Sequence, residues 1–111
     1  MGVSALLNNI TALASTAVGY QAGYNSNQNG NTFIGYQSGY YVTSGGKNTI
    51  LGGYSGNQGG LDIRTASNYI VLSDGDGNPR AYSNANGFWT IGNPTTSAAQ
   101  SGLTINGSTS S

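Results

Sequence analysis

The residues of this chain that could do chemistry are few and clustered. Its acidic side chains are Asp62, Asp74 and Asp76, and it contains no Glu, His or Cys. Asp74, Asp76 and Asn78 alternate with single residues, the spacing at which oxygen ligands open calcium-binding loops. Such a loop also needs a later bidentate carboxylate, and no acidic residue follows Asp76. The surrounding stretch Ser73-Asp-Gly-Asp-Gly-Asn-Pro79 is equally rich in the Asp-Gly and Gly-Asn pairs of hairpin turns. The turn reading is therefore preferred, with Asp74, Asp76 and Asn78 kept as the candidate metal set.

Catalysis has little to build on. Without His the commonest general base and transition-metal ligand are absent, so no Ser or Thr has its usual activator. Paired carboxylates for glycoside hydrolysis would have to come from the same three Asp residues. The glycine-rich run Gly53 to Gly59 lacks the strand, helix and lysine context of a phosphate loop. No enzymatic activity and no cofactor are expected. The formal net charge is +0 with only 5% charged residues, which disfavours nucleic acid and anionic membranes as partners. No apolar run approaches a membrane span, so no membrane insertion is expected. The stretch Met1 to Ala14 has no basic segment, so a secretory signal is not expected either.

Tyrosine is the other functional residue type, with eight copies. Tyr20, Tyr24, Tyr36, Tyr40 and Tyr54 recur with the repeat described below and form a candidate surface-binding ladder. Aromatic faces stack on sugar rings and on partner side chains, although the same ladder could serve only to stabilise the fold.

The elements that position these residues come from a repeat. Ala17 to Tyr24 reads Ala-Val-Gly-Tyr-Gln-Ala-Gly-Tyr, Phe33 to Tyr40 reads Phe-Ile-Gly-Tyr-Gln-Ser-Gly-Tyr, and Ile50 to Asn57 is a looser copy. The leading glycines Gly2, Gly19, Gly35 and Gly52 step by 17, 16 and 17 residues. A fixed period means that one small unit is stacked. Val3, Leu6, Leu7, Ile10 and Leu13 also fit a helix, but the period extends back to Gly2 and favours another coil. Upstream of each glycine lies a short β-like stretch opened by a polar residue: Ser15-Thr-Ala-Val18, Asn31-Thr-Phe-Ile34 and Asn48-Thr-Ile-Leu51. From Gly59 the pattern changes to alternating strands and dense turns, a meander of hairpins.

The repeat unit resembles those of bacteriophage tail fibres, in which hairpins much like Val71 to Arg80 follow. More loosely, Thr16-Ala-Val-Gly19 is similar to the head repeats of trimeric autotransporter adhesins. The resemblance covers residues 2 to 92 and implies a parallel homotrimer. The thin apolar content, 36% of the chain, points the same way, because a lone stack of such coils offers too little to bury.

The expected fold is all-β: β-solenoid or β-roll-like coils of about 16–17 residues over 1–58, a hairpin meander over 59–92, and a polar linker with a short terminal strand over 93–111. The candidates for a shared trimer core are Val18, Phe33, Ile34, Ile50, Leu51, Ile70 and Leu72. The expected function is that of a structural protein, a trimeric shaft segment of a virion tail fibre or similar extracellular filament. Alternatives are a glycan-binding adhesin and an end-to-end homopolymer.

Overall fold

The structure is a computed structural model and describes residues 2–92; the expected linker and terminal strand of 93–111 lie outside them. The chain is all-β, and no helix forms among the described residues, so none is there to cross a membrane. Three-residue strands β1 (Thr16–Val18), β2 (Thr32–Ile34) and β3 (Thr49–Leu51) pair parallel and in register. β4 (Asn57–Gln58) and β5 (Leu61–Asp62) form a small antiparallel hairpin of their own. β6 (Ile70–Ser73) returns to the main sheet, parallel to β3, and β7 (Pro79–Ser83) and β8 (Trp89–Ile91) extend it antiparallel. The main sheet therefore runs β1-β2-β3-β6-β7-β8 without a break at residue 58, and the molecule measures 55 × 26 × 26 Å.

Residues 3–8 form turns, not a helix. Leu6 N–H donates to the Ala22 carbonyl at 2.9 Å, and Asn8 N–H to that of Tyr24 at 3.0 Å. The segment thus lies against residues 19–24 as each later turn lies against the next.

The middle residues of β1, β2 and β3, and Val71 of β6, point inward. Phe33, Ile50 and Val71 are fully buried, joined by Ala22, Val42, Tyr54, Leu61 and Ile63. The flanking residues point outward, as a period of two requires. Of the seven expected core residues, only Phe33 and Ile50 are therefore buried within the chain. Val18, Ile34, Leu51, Ile70 and Leu72 stand 39 to 44% exposed on the outer face of the sheet.

Two buried asparagines tie successive parallel strands together. Asn31 accepts the Asn48 N–H at 2.9 Å and donates to the Gly45 carbonyl at 2.9 Å. Asn48 repeats the arrangement one coil on, accepting the Tyr69 N–H at 2.9 Å and donating to the Ala66 carbonyl at 2.8 Å. The asparagine that opens each of these strands thus substitutes for backbone pairing where the chain turns into the strand.

Candidate functional site

Short turns following β1 and β2 place the tyrosines. Tyr20 stacks on Tyr36 with ring centroids 5.6 Å apart, and Tyr24 on Tyr40 at 5.0 Å. Beside them, Gln37 Nε2 donates to Gln21 Oε1 at 2.8 Å, a polar rung parallel to the aromatic one. Gln21 and Gln37 both hold positive φ, 55° and 51°, so the two turns share one backbone shape. Tyr41 packs edge-on against Tyr40 at 4.8 Å. Tyr20, Tyr36 and Tyr41 remain exposed.

Tyr54 does not belong to this ladder. It is fully buried, and its hydroxyl donates to the Leu61 carbonyl. Burial, and secondarily the nearby charge of Asp62, push its phenol above the ordinary value. The hydrogen bonds explain the departure. Gly23 N–H donates to the Ser38 carbonyl and Gly39 N–H to that of Tyr54, both at 2.8 Å. Tyr54 is thus the spatial successor of inward-facing Ser38, and not of Tyr36 or Gln37. The turn after β3 is shortened, and an ungapped alignment of the three glycines hides the deletion.

That shortening ends the exposed ladder at Tyr36 and leaves a groove of about 440 Å³ beside it. Tyr36, Gln37, Tyr41, Asn57 and Asp76 line it together with the backbone of Gly53 and Gly75. A side chain at position 53 would collide with the Gly75 carbonyl oxygen, so the position is confined to glycine. Gln58 is already engaged: its Oε1 accepts the Ser55 N–H at 2.8 Å and the Ser55 hydroxyl at 3.0 Å.

The candidate metal set has a different occupation. Asp74 Oδ1 accepts the N–H groups of Asp76 and Asn78 at 3.0 and 2.9 Å, while Oδ2 accepts from Asn78 Nδ2 at 3.1 Å and from Arg80 at 2.8 Å. In the next hairpin Asn84 does the same work, its Oδ1 accepting the N–H groups of Asn86 and Phe88 at 2.9 and 3.1 Å. An uncharged side chain thus makes the same backbone hydrogen bonds in the second turn that Asp74 makes in the first, a pattern general to such turns. The Asn78 amide and backbone N–H, with the Arg80 guanidinium, hold the Asp74 carboxyl well below the usual carboxylate range. Arg64, through its hydrogen bonds and a 2.8 Å ion pair, lowers the Asp62 carboxyl from its ordinary value. No group of three or more acidic side chains that could hold a metal ion occurs among the described residues.

Asp74→Asn is accordingly expected to keep the hairpin and the fold. Because the folded-state pKa of Asp74 is depressed, its contribution is present above the ordinary value of 3.8 and is lost as the pH falls through the lower folded value. The variant should therefore have a slightly lower melting temperature than the parent at neutral pH, with the gap closing in strong acid. Thermal melts by circular dichroism across that range check this; a gap that widens in acid contradicts it.

Comparison with protein-family models, curated proteins and solved structures finds no match for this chain.

Proposed function

We propose that the chain is a structural fibre segment, a β-solenoid of stacked coils that associates in parallel as a homotrimer within a virion tail fibre or similar extracellular filament. The observation that carries this reading is the outer face of the main sheet. Val18, Ile34, Leu51 and Leu72 occupy one register row that continues through Ala81 to Ile91. Ile70 and Trp89 lie in the neighbouring row, and each of these side chains except Ala81 is 39 to 51% exposed.

A straight apolar row with strand spacing of about 4.8 Å is best matched by a surface with the same period. A second copy of this chain, laid parallel, supplies one. Covering what remains exposed contributes on the order of 1 kcal/mol for each such side chain. The near absence of charge means that little like-charge repulsion opposes the contact.

Native mass spectrometry tests the proposal. Three times the chain mass of 11.3 kDa is expected, and the double variant Ile34→Asp, Leu51→Asp should give a folded monomer. A parent protein that is a folded monomer at micromolar concentration overturns it. Masses that climb without limit as concentration rises replace the closed trimer with an end-to-end polymer.

A further inference from the structure

We propose that the groove beside Tyr36 binds a neutral saccharide, one sugar ring stacking on Tyr36 in the position of the rung that the shortened third turn omits. Tyr20 already covers one face of the Tyr36 ring. The next turn places Gly53 there, where the Gly75 carbonyl leaves no room for a side chain. Tyr36, itself 60% exposed, borders a groove of about 440 Å³, within the range of small-ligand sites.

The polar groups around that space suit vicinal hydroxyls. Gln37 uses its Nε2 on Gln21, which leaves Oε1 as an acceptor. The Asn57 amide and the Asp76 carboxylate engage no partner among the described residues, and both border the groove. Asn57 offers donors and an acceptor, whereas Asp76 only accepts. Tyr41 adds a second exposed ring with a hydroxyl. An aromatic platform with amide and carboxylate partners matches a sugar, which presents C–H groups on one face and hydroxyls at its edge.

Charge narrows the class. The groove is bordered by one carboxylate and by no Lys or Arg. Acidic sugars and phosphorylated ligands are therefore disfavoured, and neutral hexoses and N-acetylhexosamines remain. The site is half open, so the affinity of one copy should be on the order of millimolar, raised by avidity when several copies face one surface.

Saturation-transfer difference NMR on the assembled protein tests this, with methyl glucoside, methyl galactoside, methyl mannoside and N-acetylglucosamine as probes and N-acetylneuraminic acid as the anionic comparison. Transfer to the ring protons of at least one neutral probe is expected. Tyr36→Ala should weaken that binding about tenfold, while Phe88→Ala, which removes an exposed aromatic outside the groove, should leave it unchanged. Tyr36 is 60% exposed, so its variant should fold, which circular dichroism checks. No transfer to any neutral probe, equal transfer in Tyr36→Ala, or transfer only to N-acetylneuraminic acid overturns the proposal. Native mass on the same samples separates the two readings: binding by a monomer sinks the fibre assembly alone, and a trimer that binds nothing sinks the saccharide site alone.

Discussion

Replacing Gly35 with alanine is expected to abolish the fold. Gly35 holds φ +136°, a conformation that side chains rarely adopt. A Cβ there would lie 2.5 Å from the Gly52 carbonyl oxygen and 2.8 Å from its carbonyl carbon. Those are backbone atoms, and Gly52 is itself packed against Ser73, so the neighbour cannot rotate away. Backbone strain alone costs about 1–3 kcal/mol, and the clash adds an amount of similar size. Together, at about 2–6 kcal/mol, they reach the lower end of the total stability of a small domain, about 5–15 kcal/mol. Circular dichroism and denaturant melts check the outcome. Gly75→Ala is the control, since a Cβ at that position meets nothing within 4 Å. A Gly35→Ala protein that melts like the control contradicts the close approach of successive coils.

Asn48→Ala carries the second largest expected effect. The substitution leaves the Tyr69 N–H and the Ala66 carbonyl without their partner at a position that is fully buried. Each unpaired group costs about 1–3 kcal/mol, so a loss on the order of 3 kcal/mol is expected. Asn48→Asp should not rescue it, because the carboxylate turns a donor into an acceptor opposite the Ala66 carbonyl and buries a charge. Exposed Asn27, whose Oδ1 accepts from the backbone of Ile10 and Thr11, is the comparison. Asn27→Ala should cost within about 1 kcal/mol. Urea unfolding of the variants measures these differences, and equal losses for Asn27→Ala and Asn48→Ala would contradict the clamp.

Much of the fold is legible in the sequence because the leading glycines and the strands share one period. Gly19, Gly35 and Gly52 mark where backbones touch, and only glycine fits there, so the sequence has to display the contact. The inward and outward faces are harder to read. Phe33-Ile34 and Ile50-Leu51 are both apolar pairs, and a three-residue strand is too short for alternation to show which member points in. The structure buries Phe33 and Ile50 and leaves Ile34 and Leu51 outside. Tyr54 is misplaced by the repeat because a deletion inside a glycine-rich turn leaves no mark when the flanking glycines still align. The clamp role of Asn31 and Asn48 has a signal, the same residue opening two successive strands, but its partners lie far along the chain. The metal reading of Asp74 rests on spacing alone, and Asn84 builds the matching turn without a carboxylate.

The step from β3 to β6 is longer than the earlier ones, and the added length forms the β4–β5 hairpin, whose Leu61 joins the core. The sheet resumes in register afterwards, with Asn48 still clamping the chain. The detour is tied to the body by buried Leu61 and Ile63 and by the Tyr54 hydroxyl on the Leu61 carbonyl. A loop grafted at its exposed tip, Gly60, would alter what the molecule shows to its surroundings while leaving those buried side chains in place, which makes the tip a natural port for engineering new recognition.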